Sequence, residues 1–295
     1  RITVTSSGMT GIMMLMQMLI DAGDNAVLVG PVWPNAQATV EIMGGEPRNA
    51  PLRFGNEGWT FDLEAVTAQC DDRTRVIFVN SPGNPTGWMM RREEQQALLD
   101  HCRENGIWII ADEVYARIVY DRPAAPSFLE IAGPDDPLIV INSFSKAWAM
   151  TGWRLGWLTH PERVAPFIGN LIEYNTSGTA TFLQHAAVTA LRDGEPFVES
   201  MVEHCRRGRA VIGDCLSALP RVRYRSPDAA FYAFFAVDGM DNSLDFAKRL
   251  VHEAKVGLAP GTAFGPEGEG WLRLCFARAP ETLEEAVDRL TPLLK

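Results

Sequence analysis

Residues 138–157 read LIVINSFSKAWAMTGWRLGW. Leu138 to Ile141 is an apolar, β-branched run of the length expected of a buried strand. A short polar turn follows, Asn142-Ser143-Phe144-Ser145, then Lys146, then Thr151-Gly152-Trp153-Arg154. An isolated lysine ordinarily snorkels to solvent. One that follows a buried strand and is ringed by apolar and aromatic residues is costly to keep charged, so its pKa falls and its amine becomes a usable nucleophile or base. Two hydroxyls and an arginine flank it, a set that suits a phosphate. An activated lysine beside a phosphate cradle is what pyridoxal phosphate requires, a Schiff base for its aldehyde and an anion site for its tail.

The string SFSKAWAMTGWRLGW resembles the lysine motif of the class I/II, fold-type I aminotransferases, and further matches follow in family order across the whole chain. Ser6-Ser7-Gly8-Met9-Thr10-Gly11 joins an opening strand to a helix expected over 12–22, and such a turn points backbone N–H groups at an anion. It matches the family's phosphate loop at Gly8, Met9 and Thr10. Trp33 follows the strand 26–30, at the strand end where open α/β sheets bind ligands. Its position resembles that of the aromatic residue that stacks on the cofactor ring. Residues 75–80 (RVIFVN) form a buried strand running into Ser81-Pro82-Gly83-Asn84-Pro85-Thr86-Gly87, a rigid turn. SPGNPTG resembles the family's asparagine loop, which implies a bond from Asn84 to the cofactor's phenolic oxygen.

After a helix near 91–104, Trp108-Ile109-Ile110-Ala111-Asp112-Glu113-Val114-Tyr115 ends an apolar strand on carboxylates. A carboxylate there can keep a pyridine nitrogen protonated, which makes the ring an electron sink. The resemblance gives that role to Asp112 and a bond to the phenolic oxygen to Tyr115; Glu113 reads as structural. Arg154 to Leu158 reads as a continuing strand. Arg273, mid-strand in WLRLCFA, needs an anionic partner where it lies. It could pair internally, but the matching family arginine grips the substrate's α-carboxylate through a bidentate fork. The resemblance therefore implies catalysis by Lys146, Asp112 and Tyr115. The phosphate would be held by Ser143, Ser145, Arg154 and the Gly8 loop, and the substrate would meet Asn84, Trp33 and Arg273.

Alternating strand-like and helix-like segments predict an α/β fold with a mostly parallel central sheet. The expected division is a large cofactor-binding domain, 1–196, and a smaller C-terminal α+β domain, 197–295. A long helix is expected over 195–219, a strand over 231–237, and helices over 243–253 and 281–294. The methionines at 9, 13, 14, 16 and 18 read as core packing of the first helix. A net charge of −10 argues against nucleic-acid and anionic-membrane partners, and no apolar run approaches a membrane span. Five scattered cysteines without a C-x-x-C spacing suit reduced core thiols in the cytoplasm, with no metal site.

The chain opens inside a strand, Arg1-Ile2-Thr3-Val4-Thr5. Family members carry a segment ahead of this point, with an arm that embraces the partner subunit, so the expectation is a fragment or a departure from the family. The family also implies a homodimer acting on amino acids and 2-oxo acids. The same scaffold serves carbon–sulfur lyases and the cofactor-binding sensor domain of transcription regulators, and both stand as alternatives. Ser143-x-x-Lys146 also fits the serine acyl-enzyme pattern, but the accompanying S-D-N and K-T-G strings do not occur.

Overall fold

A computed structural model describes residues 1–295. In chain order it begins with β1 (Ile2–Thr5), α1 (Gly8–Leu19), β2 (Asn25–Gly30), α2 (Asn35–Ile42) and β3 (Glu46–Pro51). A hairpin of β4 (Arg53–Gly55) and β5 (Gly58–Thr60) precedes α3 (Leu63–Thr67), β6 (Thr74–Asn80), α4 (Arg92–Asn105) and β7 (Trp108–Asp112). Next come β8 (Leu138–Ser143), β9 (Gly156–Thr159), α5 (Ala165–Asn175), α6 (Thr181–Asp193) and α7 (Glu195–Ser217). The last elements are β10 (Val222–Arg223), β11 (Tyr232–Val237), α8 (Ser243–Glu253), β12 (Ala259–Pro260), β13 (Trp271–Cys275) and α9 (Pro280–Leu294).

Seven strands make the central sheet in the order β1-β9-β8-β7-β6-β2-β3. Only β9 runs against the others. The strand sequences lack polar alternation because both faces are covered. Ala26, Leu28, Val76, Phe78, Ile110, Ile139 and Ile141 pack under α1, α2 and α5. Their neighbours Val27, Val29, Ile77, Val79, Ile109, Ala111 and Val140 pack under α4 on the opposite face. Each Val, Leu, Ile or Phe among them contributes about 1.5–3 kcal/mol on burial. Every strand of β2, β6, β7 and β8 therefore ends, at its carboxyl end, on the same rim.

Two boundaries differ from the sequence expectation. Helix α1 starts at Gly8 instead of near residue 12, because Ser7 Oγ accepts from the Thr10 amide and caps the helix. The strand expected from Arg154 starts at Gly156, since Arg154 sits in left-handed backbone at φ 55°. Gly156 is needed where it lies. A Cβ there would stand 2.8 Å from the Gly8 nitrogen and 2.7 Å from the Asn142 oxygen. No side chain fits between β9 and the turn that starts α1.

The second sheet, β10-β11-β13-β12, is antiparallel throughout. One face packs on Val198, Cys205, Ile212 and Leu216 of α7 and on Leu283, Leu290 and Leu294 of α9. The other carries Phe234, Trp271 and Phe264, and the β4–β5 hairpin docks onto it through Phe54 and Trp59. The five cysteines are free thiols. No helix is long and apolar enough to cross a membrane.

Helix α7 approaches β13 so closely that a Cβ on Gly208 would lie 2.2 Å from the Phe276 carbonyl oxygen. Five residues on, a Cβ on Gly213 would meet nothing nearer than 3.7 Å. Alanine favours a helix over glycine by about 1 kcal/mol, whereas overpacking costs about 1–3 kcal/mol. Gly213→Ala should therefore stabilise the protein by up to about 1 kcal/mol, and Gly208→Ala should destabilise it by about 1–2 kcal/mol net. Denaturant unfolding of the two variants beside the wild type checks the opposite signs.

Candidate active site

The carboxyl ends of β1, β2, β6, β7 and β8 meet the second sheet around a cavity of about 380 Å³. That is a small-molecule volume. Its wall includes Gly8, Met9, Trp33, Asn84, Asp112, Tyr115, Ser143, Ser145, Lys146, Arg154 and Arg273, which the sequence singles out from distant stretches. Thr10 alone among the expected residues is not in the wall. Its amide is taken by Ser7 Oγ, and its hydroxyl hydrogen-bonds to Ser6 O and Ser7 Oγ. Met9 faces the cavity, whereas Met14 and Met16 are core.

The pairing of β6 with β7 sets Asn80 opposite Asp112. Asn80 Nδ2 donates to the Asp112 carbonyl, and Asn80 Oδ1 accepts from the Asn84 amide at 2.8 Å, which fixes the SPGNPTG turn on the rim. Asn84 Oδ1 accepts from Arg273 Nη1 at 2.8 Å, so its Nδ2 is the donor left for a ligand. The Arg273 guanidinium lies between two aromatic faces, 4.5 Å from the Tyr232 ring centre and 4.8 Å from that of Phe264. Its Nε is buried and has no hydrogen-bond partner. A buried guanidinium N–H without a partner is expensive unless an anion arrives to take it.

Asp112 is 5% exposed and accepts one backbone bond, from the Val114 amide at 3.2 Å. Burial raises its pKa to about 6, against the pull of that amide and of Lys146. Burial lowers the pKa of Lys146, with Asp112 opposing the shift. The Lys146 ammonium lies 5.6 Å from the Tyr115 ring centre. Glu113 points away, accepting from Ser127 Oγ at 2.7 Å and the Phe128 amide at 3.0 Å. Its role is structural, and burial pushes its pKa to about 7.

Gly8 and Met9, the first residues of α1, line the same cavity as Ser145 and Arg154, and the unpaired amides of a helix N-terminus suit an anion. Arg154 Nη1 donates to the Thr151 carbonyl, which holds the side chain over the turn. Ser143 Oγ is already engaged, donating to the Leu155 carbonyl and accepting from the Ser145 amide. Its hydroxyl shapes the turn and keeps one lone pair free, with no proton left to give.

Sequence reasoning missed Ser7, Asn80, Thr151 and Tyr232, all in the wall. Ser7 carried a usable signal, being a serine before a helix with Thr10 three residues on. Tyr232 carried none, since AFYAFFAV reads as a core strand.

The chain is similar to known proteins in sequence and in fold. A family profile described as aminotransferase class I and II matches residues 1–290. Aromatic-amino-acid aminotransferase 2 of Thermococcus litoralis is 34% identical over 300 residues, covering 100% of this chain and 76% of that protein. An LL-diaminopimelate aminotransferase of Desulforudis audaxviator is 35% identical, covering 95% of this chain and 71% of that protein. The crystal structure of an aromatic aminotransferase from Pyrococcus horikoshii superposes with a TM-score of 0.94 at 30% identity. It covers 99% of this chain and 79% of that one. An aspartate aminotransferase structure from Thermotoga maritima gives 0.89 at 33% identity, covering 99% of this chain and 76% of that one.

The raised pKa of Asp112 has a consequence for the unliganded protein. Ionising this carboxyl is harder in the folded state, so its penalty is absent below the unfolded value of 3.8 and complete above about 6. Asp112→Asn should raise the unfolding free energy by about 1–3 kcal/mol near pH 8, and the gain should fade as pH falls towards about 4. Urea unfolding across that range, with no added ligand, measures it.

Proposed function

The chain belongs to the class I and II aminotransferase family, and from that premise we propose how its cavity moves an amino group between an amino acid and a 2-oxo acid. The group that suits the donor set is pyridoxal 5′-phosphate, on which this family generally depends. When bound it supplies an aldehyde that takes up an amine and a pyridine ring that draws electrons from the substrate's α-carbon.

Lys146 is the amine that holds the cofactor between turnovers. Lys146 Nζ would take the proton from the substrate's α-carbon, and burial lowers its pKa, a shift towards the neutral form that this task needs. Asp112 presents its carboxylate to the ring nitrogen; a cation there restores the partner that burial denies it. Tyr115 and the Asn84 amide would donate to the phenolic oxygen, and Trp33 would cover the ring. The Gly8 and Met9 amides, Ser145 and Arg154 hold the phosphate, with Ser143 fixing their turn. Arg273 grips the α-carboxylate. The observation that carries this reading is the buried, unpartnered Nε of Arg273 in the same cavity as Lys146 and Asp112.

We take residues 1–196 as the cofactor-binding domain and 197–295 as the smaller one. The protein is a homodimer in this reading. Helix α6 has no buried residue and exposes Phe182, Val188 and Leu191, and α5 exposes Phe167 and Tyr174. An apolar face of this extent suits a second copy. Five free thiols suit the cytoplasm.

Adding pyridoxal phosphate to the wild type should give a visible absorption band, and borohydride followed by peptide mass spectrometry should find the adduct on Lys146. An amino-acid mixture should bleach the band, and 2-oxoglutarate should restore it. Lys146→Ala should form no band and lose at least about 10⁴-fold in activity, the scale of a missing general base plus a missing nucleophile. A band that amino acids leave unchanged would count against amino-group transfer. The variant Phe182→Asp/Leu191→Asp should sediment as a monomer where the wild type sediments as a dimer.

A further inference from the structure

Tyr232 touches both ends of the site. It is 7% exposed, on β11, beside the strand that carries Arg273. Its hydroxyl lies 2.9 Å from that of Tyr115, which follows β7 of the other sheet. Its ring face lies under the Arg273 guanidinium. One side chain thus meets the group read above as a ligand of the phenolic oxygen and the group read above as the carboxylate clamp.

Proton counting gives the pair a direction. Each phenol has one proton, and the two share one hydrogen bond. If Tyr115 donated, it would have no proton left for the phenolic oxygen assigned to it above. If Tyr232 donates, its own proton is satisfied and that of Tyr115 stays free for the cavity. Accepting a bond also makes Tyr115 the better donor. Burial raises the pKa of both phenols, and the nearby Arg273 charge opposes that rise in each.

We propose that Tyr232 is a positioning residue for amino-group transfer, giving its proton to Tyr115 and its ring face to Arg273. It links recognition of the substrate's carboxylate to the bond made at the cofactor's phenolic oxygen. This inference rests on the roles assigned to Tyr115 and Arg273 above. Phe264 holds the far face of the guanidinium, so the two halves of the link can be broken separately. Removing the hydroxyl weakens the Tyr115 bond and leaves the aromatic sandwich whole. Removing the ring opens the sandwich.

The test uses the cofactor-loaded protein and the variants Tyr232→Phe, Tyr232→Leu and Tyr115→Phe, with thermal melts to establish that each is folded. The readouts are the pH midpoint of the visible band without substrate, and KM and kcat for an amino acid. A weaker donor leaves the phenolic oxygen less stable as an anion, so protons are released at higher pH. Tyr232→Phe should move the midpoint upward, as Tyr115→Phe does but by less, with KM within about twofold of wild type. Tyr232→Leu should raise KM about tenfold through loss of a desolvated cation–π contact. If Tyr115→Phe moves the midpoint and Tyr232→Phe does not, the hydroxyl link is wrong. If folded Tyr232→Leu keeps the wild-type KM, the ring link is wrong; if it does not fold, Tyr232→Phe alone decides. A wild-type protein with no visible band overturns the cofactor reading, and the link with it.

Discussion

A carboxylate and an amine share a nearly dry cavity without closing on one another as an ion pair, and the site depends on keeping them so. In water Asp112 and Lys146 would have ordinary pKa values; burial moves the first up and the second down, and each opposes the other's shift. Holding both in this state requires walls that cannot collapse inward. The central sheet supplies them, because each strand is clamped on both faces by apolar side chains that alternate strictly between two helical layers. The polar residues follow where the apolar runs stop. Asn80, Asp112 and Ser143 are the last residues of three adjacent strands, so the ladder that aligns the strands also aligns the chemistry.

Much of this was legible in the sequence, for a physical reason. Strands buried on both faces carry uninterrupted apolar runs, and an Asp or a Lys just after such a run has few bland explanations. Arg273 was legible on the same ground, as a charge in the middle of a strand. Tyr232 was not, because an aromatic among Phe and Ala on a strand looks the same whether its hydroxyl reaches a site or a backbone carbonyl. Thr10 and Ser143 illustrate the converse. Their residue types suit an anion, yet the helix cap and the turn claim their donors first. The order of the seven strands and the docking of the β4–β5 hairpin on the second sheet rest on contacts far apart in the chain, which local pattern does not carry.

The second sheet contributes few residues to the cavity wall. Tyr232 and Arg273 are its two wall residues, and each reaches across to the central sheet's rim, one to Tyr115 and the other to Asn84. The Phe54, Trp59, Trp271 and Phe234 cluster ties the β4–β5 hairpin to the same second sheet through apolar contact.

The bond from Arg273 to Asn84 also bears on entropy. An arginine free to rotate loses about 0.5–1.5 kcal/mol of rotamer freedom when a ligand immobilises it. Here the side chain is held between two rings and tethered at Nη1 before any ligand arrives, so that loss falls on folding. In the role proposed for Arg273, a carboxylate meets a fork already aimed at it. The stability of the empty protein is lower for that arrangement, and the affinity of the filled one is higher.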